Sequence, residues 1–343
     1  MLNELIKSRL SSLTAASVEL GRDRLLIQAS GGNTSEKIDG VLWVKASGRM
    51  LMEAEKEWLF VPVDLKAVRQ AIQSGRGDKI DDCVLERTDL RPSIETTLHA
   101  LLPHPVVLHV HSVNTITWAV REDGKSHIAN LLDGLHWSWI PYRRPGLPLT
   151  EAVQQAALES PDVLVLQNHG LVVGGSDVVA AMALLHDVES RLQCPVRKTP
   201  EANLEALTPF LDQGDFRLPK DEIIHALATD PICLAAAKGG VPYPDHVVFL
   251  APAPLVVSDM PMYRQNKDAY GQQMGADAAA VLVDKAGVVV RKDISFGAEE
   301  MLLCQVNVFL RENENTAIHY LSDDDVAALL NWDAEKYRLS LTG

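Results

Sequence analysis

The chain has 343 residues, 47% of them hydrophobic, which is enough to bury one large core or two ordinary ones without disulfide or metal staples. A formal net charge of −14 argues against nonspecific binding to nucleic acid or anionic membrane, which needs clustered Lys and Arg. A small anionic substrate is not excluded, because it responds to the local field of its pocket.

Cys83, Cys194, Cys233 and Cys304 are widely spaced with no CxxC pair, so neither a disulfide framework nor a cysteine metal site is expected, and the compartment should be reducing. Met1 to Lys7 opens an amphipathic helix rather than a signal peptide, and no apolar run is long enough to cross a bilayer. A soluble, cytoplasmic protein is the expectation.

In chain order, the pattern predicts a helix from about Asn3 to Gly21 and then a loop through Ser30-Gly31-Gly32-Asn33-Thr34-Ser35. A short strand follows at Val41–Lys45, then the loop Lys45-Ala46-Ser47-Gly48, a strand at Leu59–Val63 and a helix at Leu65–Gln73. Thr88 to Pro92 reads as a loop, with Ser93 placed to cap a helix running through Glu95 toward Leu102. Pro105 to His111 is an apolar, β-branched strand, and Asp162 to Asn168 is a second, ending at His169. After Leu171–Gly175, Ser176 or Asp177 caps a helix reaching about Gln193. Prolines and charges between Cys194 and Ala206 mark a boundary. Beyond it come two helical segments, a strand at His246–Leu250, a hairpin over Ala280–Val290 turning at Lys285-Ala286-Gly287, and two closing helices. The fold class is α/β, in two domains at 1–200 and 201–343, with no internal repeat.

The chemistry concentrates in Leu108-His109-Val110-His111 and Gln167-Asn168-His169-Gly170. Residues two apart on a strand share a face, so His109 and His111 present their rings side by side, and His169 lies at a strand end. Three imidazoles with a fourth position left open is the pattern of a catalytic rather than a structural zinc. A lone histidine would be read as a core residue; the grouping favours metal. His99, one helical turn after Glu95, reads as a packed helix histidine, and His104 and His136 as loop or packing residues. Glu95, shortly before the two-histidine strand, is the acid/base candidate; the plain alternative is a first-turn glutamate favoured by the helix dipole. The Gly31-Gly32-Asn33 loop, Ser47-Gly48 and Ser93 have the makings of an anion nest, although such loops are most often plain turns. There is neither a complete GxxxxGK[ST] loop nor a strand-linked GxGxxG, so ATP and NAD chemistry lack support.

Taken in order, Gly31-Gly32-Asn33-Thr34-Ser35, Lys45-Ala46-Ser47-Gly48, Ser93-Ile94-Glu95, His109-Val110-His111 and Asn168-His169-Gly170 resemble the class II aldolase/adducin head family over roughly the first two hundred residues. The resemblance implies a three-layer α/β/α domain, with a smaller α/β extension beyond it. It also implies zinc or another divalent cation on His109, His111 and His169, Glu95 as acid/base, and Asn33, Ser47, Gly48 and Ser93 at the phosphate end of a sugar phosphate. A homo-oligomer, with a tetramer favoured, comes with it. Pro244-Asp245-His246-Val247-Val248 and the stretch from Val281 through Ser295-Phe296-Gly297 are similar to the aldolase portion of bifunctional rhamnulose-1-phosphate aldolase/alcohol dehydrogenases, and the chain is expected to stop short of a dehydrogenase domain. Two departures stand out. Ile94 occupies the place of a second serine in fuculose-phosphate-type enzymes, and their auxiliary tyrosine has no clear counterpart among Trp137 to Tyr142. The expected activity is aldol cleavage of a ketose phosphate or hydroxy-keto substrate through a metal-stabilised enediolate. The alternatives are a same-fold epimerase, dehydratase or decarboxylase, or a non-catalytic adducin-like binding protein.

Overall fold

In the computed structural model, which describes residues 4–77, 79–86 and 89–333, the apolar runs around the three histidines become neighbouring strands. The strands are β1 (Asn33–Ile38), β2 (Val41–Lys45), β3 (Phe60–Asp64), β4 (Val106–Val110), β5 (Trp137–Ile140), β6 (Val163–Leu166) and β7 (Gly170–Gly175), in the spatial order β3-β2-β1-β4-β7-β6-β5. Every pairing is antiparallel except that of β5 with β6.

β4 is buried along its whole length, and its alternation sorts two cores. Val106, Leu108 and Val110 pack with Leu13 and Leu20 of the helix Ser11–Arg22 and with Leu185 and Val188 of the helix Val178–Leu192. Val107 packs on the other face with Leu98, Leu149 and Val153, from the helices Thr96–Leu101 and Leu147–Ala156. Burying each Val or Leu is worth about 1.5–3 kcal/mol, so a one-residue slip that exchanged the faces would be heavily penalised. Helices thus cover both faces, giving the three-layer α/β/α arrangement. His109 has the parity of Val107 and faces the side of the helix Thr96–Leu101.

Asn33 to Ser35, expected in a loop, open strand β1 instead. Asp39 and Gly40 have φ of 51° and 82°, and Ile38 pairs with Val41, making the two-residue turn that an Asp-Gly pair favours. That hairpin holds the polar β1 between β2 and β4, with Asn33 opposite His109 and Ser35 opposite Val107. The expected N-terminal helix is broken at Leu10 into Glu4–Arg9 and Ser11–Arg22. Asn3 and Thr88, the expected starts of that helix and of the loop ahead of Pro92, lie outside the described residues.

The described chain divides into two compact units, residues 4–119 with 124–193, and 120–123 with 194–333. The second carries strands β8 (Phe216–Arg217), β9 (Leu255–Val257), β10 (Ala280–Val283) and β11 (Gly287–Arg291), ordered β8-β11-β10-β9. β10 and β11 form the expected hairpin, and the helix Met260–Met274 joins β9 to the parallel β10. The strand expected at His246–Leu250 is instead the buried helix Pro244–Phe249. Pro244 supplies the fixed φ that suits a first helical turn, and Phe249 packs so tightly on Gly297 that a Cβ there would lie 2.5 Å from its ring. His246 Nδ1 accepts from Gln305 Nε2 at 3.1 Å. The two motifs singled out in the second half therefore meet in its core. The four cysteines are free and buried, and no described helix is long and apolar enough to cross a membrane.

Candidate metal centre

His109 enters the site from the end of β4. Its Nδ1–H donates to the carbonyl of Leu171 in β7 at 3.0 Å, which fixes the ring and turns Nε2 inward. His111 follows with the same parity, its ring lying over Gly31, where a Cβ would come within 2.8 Å of His111 Nδ1 and 2.9 Å of the Gln28 carbonyl. His169 sits in the short loop of the β6–β7 hairpin, where Leu166 pairs with Gly170. Asn168 there has φ 54°, a left-handed conformation its side chain tolerates. A Cβ at Gly170 would lie 2.4 Å from the Val110 carbonyl, so only glycine lets β7 begin against the end of β4.

The three ring centroids are 5.0, 5.0 and 5.2 Å apart. One nitrogen from each ring lies within 4.8 Å of the others, and all three residues are buried. Among the described residues this is the cluster with the donors for a metal ion.

Glu95 stands immediately before the helix Thr96–Leu101 and is 5% exposed. Its Oε2 is 3.3 Å from His109 Nε2 and its Oε1 3.5 Å from His169 Nε2. Burial alone would raise this carboxyl, but positive charge at His109 and His169, the Asn33 hydrogen bond and a weaker pull from His111 outweigh it and bring it down to about 2. The carboxylate is therefore held ionised.

Asn33 Nδ2 donates to Glu95 Oε2 at 2.8 Å, and Asn33 Oδ1 accepts from His99 Nε2. His99 Nδ1 lies 2.7 Å from Ser35 Oγ. Burial pushes the His99 ring down to about 3, and the charge at His109 opposes its protonation further against the pull of Glu95, so the ring is neutral. Spacing put His99 and Glu95 one helical turn apart, but the partners that connect them lie on β1, whose polar residues read as a loop.

The loops expected to hold an anion are drawn together in part. Lys45 Nζ donates to the carbonyls of Ser30 and Gly32 at 2.7 and 3.0 Å, clamping the Gly31-Gly32 segment. Ser47 N–H donates to the Arg91 carbonyl, Ser93 N–H to that of Lys45, and Ala46 bridges Pro92, so the Ser47-Gly48 and Ser93 segments run side by side. Ser93 Oγ accepts from the Glu95 N–H at 3.2 Å. Asn33, expected with them, has its amide engaged by His99 and Glu95. Ile94 is half-buried between Ser93 and Glu95. Tyr142 N–H donates to Gln167 Oε1, two residues before His169. His104 is bound to Asp162 at 2.9 Å.

Three imidazoles beside an ionised, buried carboxylate are a donor set that suits a divalent transition metal. Glu95 Oε1 accepts no hydrogen bond from the described residues.

The comparisons with known proteins cover about half of the chain. Over 173 residues the chain is 32% identical to the Bacillus subtilis (strain 168) protein named "Uncharacterized oxidoreductase YuxG", covering 46% of this chain and 25% of that one. The chain thus spans about a quarter of the length of that curated relative. Among solved structures, the N-terminal class II aldolase domain of a conserved protein from Thermoplasma acidophilum is similar at 26% identity and a TM-score of 0.48, covering 53% of this chain and 91% of that one. An L-fuculose-1-phosphate aldolase from Thermus thermophilus is similar at 17% identity and a TM-score of 0.36, covering 54% and 93%. Residues 11–196, more than half of the chain and including Glu95 and all three clustered histidines, match the family described as "Class II Aldolase and Adducin N-terminal domain", and the chain belongs to that family.

Proposed function

We propose that the chain is a metal-dependent aldehyde-lyase that cleaves a ketose phosphate or related hydroxy-keto substrate, with zinc on His109, His111 and His169. The observation that carries this reading is the Glu95 carboxylate lodged 3.3 and 3.5 Å from His109 and His169. A divalent cation bound there supplies Lewis-acid stabilisation of negative charge developing on substrate oxygens. In the synthetic direction Glu95 takes a proton from the carbon beside the carbonyl. The electron pair left behind passes into an enediolate and then forms the new bond to the aldehyde carbon, whose oxygen takes up a proton. Cleavage is the reverse, with Glu95 returning its proton to carbon. Such a transfer is worth on the order of 10²–10⁴ in rate. Ser47, Gly48 and Ser93 are the groups proposed to receive the anionic end of the substrate.

The test is a retro-aldol screen of ketose phosphates and hydroxy-keto acids on zinc-loaded protein, scoring aldehyde release and epimer formation, with Glu95→Gln as control. Aldehyde release that needs metal and is lost in Glu95→Gln is the expected result. Epimer without aldehyde would assign a different reaction to the same site, and a chain that binds no metal and turns over nothing would be a non-catalytic member.

A further inference from the structure

We propose that His99 and Asn33 are positioning residues, a hydrogen-bonded relay from Ser35 that fixes which oxygen of Glu95 handles the proton. This rests on the lyase reading above. The relay is assembled from buried groups: Ser35 and His99 are fully buried, and Asn33 and Glu95 are 4% and 5% exposed. Its direction follows from donor and acceptor chemistry. Asn33 Nδ2 faces the carboxylate, which only accepts, so Oδ1 faces His99 and needs a donor there. His99 therefore carries its proton on Nε2, and its bare Nδ1 accepts from the Ser35 hydroxyl at 2.7 Å.

Flipping the Asn33 amide would set Oδ1 against the Glu95 carboxylate and an N–H against the His99 N–H, two repulsive contacts in a buried site where an unmet polar group costs about 1–3 kcal/mol. The imidazole tautomer thus sets the amide, and the amide holds Oε2. Oε1 is left as the oxygen that accepts no hydrogen bond from the described residues, so the proton-accepting lone pair has one fixed address. β1 is what makes this work. Asn33 lies directly opposite His109 and Ser35 opposite Val107, so both side chains stand on the sheet face where the helix carrying His99 packs.

The experiment follows hydrogen–deuterium exchange into dihydroxyacetone phosphate in D₂O by NMR, together with the visible spectrum of the cobalt-loaded protein. His99→Phe should bind one cobalt per chain with an unchanged spectrum and keep KM within about twofold, while kcat for exchange falls by about 100-fold, the usual scale for a misplaced reacting group. His99→Gln, whose amide can donate to Asn33 and accept from Ser35, should recover most of that loss. Should His99→Phe not fold, His99→Gln and Ser35→Ala carry the test, with Ser35→Ala expected to lower kcat and leave KM and the spectrum alone. Wild-type exchange rates in all folded variants would overturn the relay, and so would a changed cobalt spectrum, which would make His99 a support of the metal ligands instead. Absence of exchange in the wild-type chain is a different outcome, because it overturns the lyase reading and the positioning role together.

Discussion

At the scale of single residues, the site is held by close approaches as much as by the hydrogen bonds of its histidines. Gly31 is the clearest case, because the space its missing Cβ would fill is taken by the His111 ring and the Gln28 carbonyl. Gly31→Ala should therefore displace His111 and weaken metal affinity by about 10–100-fold, the usual cost of disturbing the groups that orient a ligand. Calorimetric titration of the metal-free chain with zinc reads this directly; unchanged affinity would show that His111 does not depend on that contact. The histidines and Glu95 were legible in the sequence because their chemistry is rare and their spacing periodic. Lys45 and Asn33 were legible as polar residues near the site but not in their roles. Lys45 spends its ammonium on two backbone carbonyls, and Asn33 spends its amide between His99 and Glu95. Such assignments depend on which groups the fold brings across from elsewhere.

At the scale of elements, strands with apolar runs were legible and the polar β1 was not. Asn33-Thr34-Ser35-Glu36-Lys37-Ile38 lacks the alternation of a half-buried strand, and its position comes from pairing with β2 and β4 on either side. The Asp39-Gly40 pair was the available signal for it. The opposite error occurred at Pro244–Phe249, where Val247-Val248 suggests a strand while Pro244 at the first turn and packing on Gly297 decide for helix. Gly297→Ala would press a methyl group to 2.5 Å from the Phe249 ring, and overpacking of this kind costs about 1–3 kcal/mol. Urea unfolding should show that loss, with Phe249→Leu in the same background giving part of it back. A neutral Gly297→Ala would mean that this contact does not fix the helix.

At the scale of the molecule, the sequence placed a boundary between Cys194 and Ala206 on proline and charge alone, and the described units part after residue 193. What composition could not reveal is that residues 120–123, in the middle of the first half, belong to the second unit. Arg121 bridges Ile318 through the backbone, and its guanidinium meets the buried Glu312 at 2.9 Å. Burial pushes the Glu312 carboxyl up from 4.5 to about 7 despite the pull of Arg121. Between those values the unfolded chain has released a proton that the folded chain retains, so this group subtracts stability as pH rises through that window. Arg121→Met removes that pull and lifts the carboxyl further, so it should cost clearly more near pH 8, where the wild-type carboxylate is ionised against Arg121, than near pH 5, where the carboxyl is protonated with or without it. Thermal melts at the two pH values check this, and equal losses at both would remove Glu312 as the cause.

The three histidines, with Asn33 and Ser35, hang from β1, β4 and the β6–β7 hairpin, the middle of a seven-stranded sheet. Central strands are the part of a fold that opens last, generally only on global unfolding. The segments around Ser47-Gly48 and Ser93 are loops at its margin, joined by a few backbone bonds. The proposed metal ligands are thus mounted on the sheet, whereas Glu95, two residues after Ser93 and bonded to its hydroxyl, shares the segment proposed to receive the substrate. A change in that segment therefore reaches the proposed acid/base and the proposed anion end together, while the three histidines stay where the strands hold them.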